Sequence, residues 1–146
     1  MNDTAHSPAQ ASTAPRVLLL DDDTFMLDLL AGMLADLGLH DIRAESDARR
    51  ALDRLAADAP ALLICDLSMP DMDGIEFMQA AAAAGYRGGV LLLSGMDAGV
   101  RMAAERLASA QGLNVLGAFK KPISPHDLAA ALGPLLAPQG KGEAAG

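Results

Sequence analysis

Short apolar runs alternate with stretches of helical periodicity along most of this 146-residue chain, and that alternation limits the fold more than any other feature. The candidate strands are residues 17–20, 41–44, 62–65, 90–93 and 115–119. The candidate helices are residues 25–37, 47–57, 73–84, 98–111 and 128–136. Strict alternation of strand and helix predicts right-handed crossovers and a parallel sheet covered on both faces.

The sequence therefore predicts an α/β, flavodoxin-like doubly wound fold with a five-stranded parallel sheet of order 2-1-3-4-5 and five helices. The half-polar segment at residues 40–45 fits an edge strand, which tolerates polar side chains. The first helix has an apolar series that predicts one buried face, made of Phe25, Leu29, Leu30, Met33, Leu34 and Leu37.

Composition narrows the function. A net charge of -8 argues against binding to nucleic acid or to an anionic membrane, because those partners require clustered Lys and Arg. No apolar stretch approaches the roughly 20 residues that span a bilayer, and the N-terminus lacks the pattern of a signal peptide. We therefore expect a cytoplasmic location. The single cysteine, Cys65, lies in a predicted strand, where it is expected to act as a small hydrophobe.

Both ends of the chain are poor in groups that a core could bury. Residues 1–14 are small and polar, and residues 138–146 are rich in Gly and small polar side chains. Both segments are predicted to be disordered tails around a single folded domain at residues 15–137.

Carboxylates follow two strands that the predicted order places side by side. Asp66 comes directly after the third apolar run, and Asp21, Asp22 and Asp23 follow the first. Taken by itself, Asp66 fits a solvated turn residue better than a site residue, and Asp23 is expected to cap the first helix. The convergence of Asp21, Asp22 and Asp66 favours a Mg²⁺ site, since clustered carboxylates repel unless a cation lies among them.

The last two strands end in groups suited to a phosphoryl ligand. Ser94 follows the fourth strand and Lys121 the fifth, and Pro122 allows a cis peptide that would aim the amine inward. Taken singly, Ser94 suits a turn and Lys121 a surface charge. Together, a hydroxyl and an ammonium can hold two oxygens of a transferring phosphoryl group.

At these positions the chain resembles the receiver domain of two-component response regulators, over about residues 16–137. The resemblance lies in Leu-Leu-Leu-Asp-Asp-Asp ending at Asp23, Cys-Asp-Leu-Ser-Met-Pro-Asp-Met-Asp-Gly ending at Gly74, Leu-Leu-Leu-Ser-Gly ending at Gly95, and Lys121-Pro122. The segment at residues 112–122 also resembles receivers that precede cyclic-di-GMP phosphodiesterase domains.

The resemblance implies that Asp66 accepts a phosphoryl group from a histidine kinase or a histidine phosphotransfer protein. Asp21, Asp22, Asp66 and the backbone carbonyl of Ser68 would hold Mg²⁺, with Ser94 as the switch hydroxyl and Lys121 as the lysine of the site. Such a protein is a phosphoacceptor with slow self-dephosphorylation and not an enzyme. It would signal to an output protein, or as a homodimer, through helix 4, strand 5 and helix 5.

Two positions bear on how the signal is timed and transmitted. Ser68 and Met96 stand where the family tunes dephosphorylation, and we expect Met96 to shield the adduct from water. Three residues before the lysine the family usually has Tyr or Phe, but this chain has Ala118, and Phe119 should face the other side of the strand. Activation through helix 4 or through dimer contacts is the expected substitute.

Two other functions remain open on the sequence. A haloacid-dehalogenase-type phosphatase also uses an Asp-x-Asp motif with a Ser and a Lys, as Asp21, Asp23, Ser94 and Lys121 would provide. That class leaves Asp66 unexplained. The other alternative is a receiver-fold interaction module that works without phosphorylation, which Ala118 would permit.

Overall fold

The predicted alternation is present in the computed structural model, which describes residues 15–68, 74–95 and 97–136. The strands are β1 Arg16–Leu20, β2 Asp41–Glu45, β3 Leu62–Asp66, β4 Gly89–Ser94 and β5 Asn114–Lys120. The helices are α1 Thr24–Asp36, α2 Ala48–Asp58, α3 Gly74–Ala83, α4 Ala98–Ala110, α5 Pro125–Ala131 and α6 Gly133–Leu136. The expected fifth helix is thus divided, with a short α6 after Leu132.

The five strands form one parallel sheet in the order β2-β1-β3-β4-β5, which confirms the flavodoxin-like prediction. β3 is buried along its whole length, whereas β2 lies at the edge and is partly exposed, as its polar sequence indicated. The carboxyl ends of β1 and β3 are adjacent because these strands pair directly. A crevice at this point is where open parallel sheets bind ligands.

Side chains of alternate residues in the central strands pack into two apolar layers, one on each face of the sheet. One layer contains Leu18, Leu63 and Leu92 together with buried residues of α2, α3 and α4. The other contains Leu19, Ile64 and Leu91 together with buried residues of α1 and α5. Continuous apolar strands are required here because helices cover both faces.

The buried face of α1 differs from the predicted one. Leu27, Leu30 and Leu34 are buried, whereas Phe25 is 70% exposed and Leu29 is 40% exposed. The run of apolar residues in this helix is wider than the contact that one face makes with a sheet. The spacing i, i+3, i+7 of the three buried leucines defines the packed side, and Phe25 and Leu29 fall outside it.

Helix ends follow the predicted signals. Asp23 caps α1 by accepting hydrogen bonds from the backbone N–H groups of Phe25 and Met26, as expected from the sequence. Gly38, Gly85 and Gly112 follow α1, α3 and α4 with positive φ angles, a conformation that glycine adopts without steric cost. These caps set the points at which the chain turns back to the sheet.

Several expectations fall on parts of the chain outside the described residues. They concern the two tails, the turn at residues 69–73 and the shielding role of Met96. Among the helices that the structure describes, none has the length and apolar character needed to cross a bilayer.

Two glycines provide a matched test of this packing. A Cβ at Gly74 would lie 2.6 Å from the Cα of Leu67, whereas a Cβ at Gly32 in α1 would meet no atom within 4 Å. We expect Gly74→Ala to lower the free energy of unfolding by about 1–3 kcal/mol through overpacking. Gly32→Ala should raise it by about 0.5–1 kcal/mol because alanine favours the helix.

Urea denaturation followed by circular dichroism measures both changes. Equal effects of the two substitutions would contradict the close approach of α3 to the end of β3.

Candidate functional site

Two buried carboxylates meet where β1 and β3 end. Asp21 follows β1 and is 1% exposed, and Asp66 is the last residue of β3 and is 2% exposed. Their positions follow from direct pairing of the two strands in register from Val17–Leu62 to Leu20–Cys65. Buried charges are costly unless paired, so their surroundings decide what this crevice can do.

Asp66 has two contacts that stabilise a negative charge. The backbone N–H of Ser68 donates a hydrogen bond to its Oδ1 at 3.0 Å, and Nζ of Lys121 lies 3.3 Å from its Oδ2. Burial nevertheless raises the pKa of Asp66 to about 6, with a further contribution from the charge of Asp21, while Ser68 and Lys121 oppose the shift. At neutral pH the carboxylate is therefore mostly ionised but more basic than an exposed one.

Asp21 is fixed by three neighbours. Its N–H donates to the carbonyl of Glu45 at 3.2 Å, and its Oδ1 accepts from the N–H of Asp23 at 2.9 Å. Its Oδ2 lies 2.9 Å from Nζ of Lys121, an ion-pair distance. That buried oxygen nevertheless has no well-directed hydrogen bond from any described residue. A cation bound beside this Oδ2 atom would supply the missing interaction.

Asp22 completes an acidic cluster with these two residues. One carboxylate oxygen from each of Asp21, Asp22 and Asp66 falls within 4.8 Å of the others, and Asp22 is exposed. The cluster offers only oxygen ligands and is open to solvent at Asp22, and one oxygen of Asp21 has no hydrogen bond from the described part of the chain. These features fit a hard divalent cation that keeps some of its waters. The expected contribution of the Ser68 carbonyl stays a prediction, since the contact that defines this residue is its N–H to Asp66.

Ser94 and Lys121 reach the same crevice from β4 and β5. Ser94 ends β4 and is fully buried, and its carbonyl accepts the backbone N–H of Lys121 at 2.9 Å. The peptide between Lys121 and Pro122 is cis, an arrangement that the proline allows. Burial lowers the pKa of Lys121, but the ion pair with Asp21 and the charge of Asp66 outweigh that effect, so the pKa is raised and the amine stays charged.

Asp23 does not share in this arrangement. Its carboxylate is committed to the N-terminus of α1, where it accepts from two backbone N–H groups. A phosphatase of the Asp-x-Asp type would need this carboxylate to face the nucleophile. In this structure Asp23 is therefore not placed to serve that purpose beside Asp21.

Ala118 and Phe119 point to opposite faces of β5, as expected. Ala118 packs against the apolar layer beneath α2, α3 and α4, whereas Phe119 packs against the layer beneath α1 and α5. The β4–β5 register shifts after Val90, so that Leu91 pairs with Gly117. Phe119 covers Gly117, where an added Cβ would lie 2.7 Å from the ring. The small side chain at Ala118 has no aromatic substitute on its own face of this strand.

Some supporting contacts were absent from the sequence-based prediction. Residue types do not reveal that the Glu45 carbonyl holds Asp21, because that contact depends on the β1–β2 register. The simultaneous contact of Lys121 with both buried carboxylates was likewise missed, although a lysine after the fifth strand was the available signal. Cys65 is buried beside the site and burial raises the pKa of its thiol, which agrees with a packing role.

Comparisons with known proteins find relatives over most of the chain. A family model described as the response regulator receiver domain matches residues 17–133. The crystal structure of a response regulator from Colwellia psychrerythraea is 36% identical with a TM-score of 0.74, covering 84% of this chain and 97% of that chain. The chemotaxis protein CheY4 of Vibrio cholerae, 24% identical with a TM-score of 0.69, shares the fold over 82% of this chain and 97% of its own.

Two curated proteins match over part of their length. The cyclic di-GMP phosphodiesterase RocR of Pseudomonas aeruginosa is 32% identical over 117 residues, which are 80% of this chain and 30% of that protein. Protein-glutamate methylesterase/protein-glutamine glutaminase 5 of Anaeromyxobacter dehalogenans is 35% identical over 79 residues, 53% of this chain and 22% of that protein. The chain thus spans less than a third of the length of either relative.

The raised pKa of Asp66 predicts a pH-dependent stability without divalent cations. Between the ordinary value of 3.8 and about 6 the folded state keeps a proton that the unfolded state has lost. Stability due to this group therefore falls as pH rises through that interval and is constant above it. Relative to Asp66→Asn, the wild type should lose stability from about pH 4 to about pH 6.

Urea unfolding in EDTA over a pH series tests this difference. Asp53→Asn, which removes an exposed carboxylate from α2, controls for the loss of one negative charge. A flat difference between the wild type and Asp66→Asn would contradict the raised pKa.

Proposed function

The chain belongs to the response regulator receiver domain family, and from this premise we propose that it accepts a phosphoryl group on Asp66 and signals through protein contacts. The observation that carries the proposal is the placement of Asp66. It is a buried carboxylate at the end of a central strand, 3.3 Å from Lys121 and clustered with Asp21 and Asp22.

The environment of Asp66 supports a role as nucleophile. A carboxylate oxygen would attack phosphorus, the P–N bond of a phosphohistidine donor would break, and its electron pair would remain on the imidazole nitrogen. The product is an acyl phosphate. A pKa of about 6 leaves Asp66 ionised at neutral pH and more basic than an ordinary aspartate. At 2% exposure, Asp66 has little contact with bulk water.

The neighbours of Asp66 are suited to hold the incoming group. The Lys121 amine, now paired with Asp21 and Asp66, can instead contact a phosphoryl oxygen, and the Ser94 hydroxyl is at the adjacent strand end. Asp21, Asp22, Asp66 and the Ser68 carbonyl would hold Mg²⁺. When bound, Mg²⁺ supplies charge neutralisation for the phosphoryl oxygens.

The donor implied by family membership is a histidine kinase or a histidine phosphotransfer protein. The proposed role is that of a phosphoacceptor with slow hydrolysis of its own adduct, and not of an enzyme with a separate substrate. The matches to a phosphodiesterase and a methylesterase cover 30% and 22% of those proteins, so their activities are not carried over to this chain.

The output surface we propose is formed by α4, β5 and α5. α4 exposes three large apolar side chains, Val100, Met102 and Leu107, at 45%, 52% and 48%. β5 is an edge strand whose residues from Val115 to Phe119 are half-buried. Phosphorylation adds roughly -1.5 to -2 charge units, and a shift of Ser94 towards the adduct would bias the adjoining β4–β5–α4 region.

Phosphorylation at Asp66 is directly testable. Incubation with Mg²⁺ and a small-molecule acyl phosphate donor should label the wild type, and mass spectrometry should locate the adduct on Asp66. Asp66→Asn should take no label. Asp21→Asn and Asp22→Asn should slow labelling by at least about tenfold, since ligands of a site and their supports are typically worth 10–100-fold.

Asp23→Asn is the matched control, because asparagine caps a helix as well as aspartate does and Asp23 lies outside the cluster. Label on Asp21 would instead support a phosphatase. A complete absence of label would support an interaction module that works without phosphorylation.

The route from the site to the output surface gives a second test. In Ser94→Ala, labelling at Asp66 should persist, but the phosphorylation-dependent change in amide hydrogen exchange of α4 and β5 should be lost because no hydroxyl can bond the adduct. Phe119→Leu should keep that change, since Phe119 packs on the other face of the sheet. An unaltered response in Ser94→Ala would contradict the role given to the hydroxyl.

A further inference from the structure

The backbone of Asp21 is held in the crevice by β2, the edge strand next to β1. Its backbone N–H donates to the carbonyl of Glu45, the last residue of β2. This bond extends the β1–β2 ladder one step past Leu20, whose register partner is Glu45. A displacement of the end of β2 would therefore move Asp21 relative to Asp66.

β2 has little apolar surface with which to hold that position. Ile42 packs against the apolar layer, but Arg43 and Ala44 are exposed. An edge strand pairs on one side only and here buries few side chains. Its position consequently depends on polar contacts at its two ends.

The contact at the carboxyl end of β2 is an ion pair whose acidic partner is mostly buried and whose basic partner is partly exposed. The Glu45 side chain is 11% exposed and accepts a hydrogen bond from Nε of Arg54 at 2.6 Å. Arg54 lies in the second turn of α2, and its Nη1 is 3.6 Å from Asp58. The next residue of the helix, Leu55, is buried in the core. The pair thus ties the end of β2 to a firmly packed helix.

We propose that Arg54 is a positioning residue for the Mg²⁺ site. By pairing with Glu45 it holds the end of β2, and the Glu45 carbonyl in turn holds the backbone of Asp21. The inference rests on the proposed function to the extent that Asp21 is a metal ligand. Without Arg54, the Glu45 carboxylate would turn towards water and release the strand end, because a buried charge without a partner is unfavourable.

If Arg54 positions Asp21, its removal should weaken Mg²⁺ binding, whereas the loss of its charge alone should strengthen that binding. Removing Arg54 deletes a positive charge near an acidic crevice, which by Coulomb attraction would strengthen the binding of a cation. Loss of positioning weakens binding. The sign of the change in Mg²⁺ affinity therefore distinguishes the two effects.

The other end of the same strand pair offers a matched control. Arg16 pairs with Asp41 at 3.1 Å and lies 3.9 Å from Asp58, joining β1 to the first residue of β2. It resembles Arg54 in residue type, in exposure and in sharing Asp58. Because it lies at the amino end of the strands, its removal should leave Asp21 in place.

Isothermal titration of the full chain with MgCl₂ tests the proposal. Arg54→Ala should weaken Mg²⁺ binding by about tenfold, the lower range for residues that support a metal ligand. Arg54→Lys and Glu45→Gln can each keep one hydrogen bond and should weaken Mg²⁺ binding less than Arg54→Ala does. Arg16→Ala should bind as the wild type does.

Labelling with the small-molecule phosphodonor supplies a second readout. In Arg54→Ala the Mg²⁺ concentration for half-maximal labelling should rise by the same factor, while the rate at saturating Mg²⁺ stays unchanged. A general loss of stability would also lower the labelling rate at saturating Mg²⁺, so it would not produce this pattern. If Arg54→Ala does not fold, Arg54→Leu, which keeps an apolar stem against the helix, takes its place in both assays.

Unchanged or tighter Mg²⁺ binding in Arg54→Ala would overturn the proposal, as would equal weakening in Arg16→Ala. Absence of Mg²⁺ binding in the wild type is a distinct result. It would overturn the metal part of the proposed function and this inference with it.

Discussion

Two carboxylates, Asp21 and Asp66, lie almost fully buried side by side, and the ammonium group of Lys121 contacts both of them. Such a pair is tolerated only where a counter-charge reaches it. Burial and mutual repulsion together raise the pKa of Asp66, and Lys121 limits that rise. The single positive charge of Lys121 does not balance the two carboxylates, so this crevice favours the binding of an additional cation.

The sheet explains why these groups can meet. Parallel strands end at a common edge, so residues distant in the chain arrive together once the strand order is set. Asp66 and Ser94 are the last residues of β3 and β4, and Asp21 and Lys121 directly follow β1 and β5. The same architecture pairs Ser94 with Lys120 of the edge strand β5. Under the proposed function, a change at Asp66 would reach the edge strand through this pairing.

Much of this was accessible from the sequence. The strand order and the cap at Asp23 were predicted correctly, because each depends on local residue types or on a strong topological rule. The burial of Phe25 and Leu29 was wrong, since an apolar series does not say which of its members face the sheet. The polar support of Asp21 was not foreseen, because it depends on a backbone carbonyl from β2.

The sequence by itself determined which chemical groups stand at the strand ends, because the apolar runs specify the strands and the residue after each run is part of the chain. Only the tertiary structure decided how those groups are used. It buried Asp21 and Asp66 while leaving Asp22 exposed, and it put Lys121 between the two buried carboxylates. Burial and charge compensation are properties of contacts between distant segments. Both are therefore fixed only once the strands β1, β3, β4 and β5 have paired in the sheet.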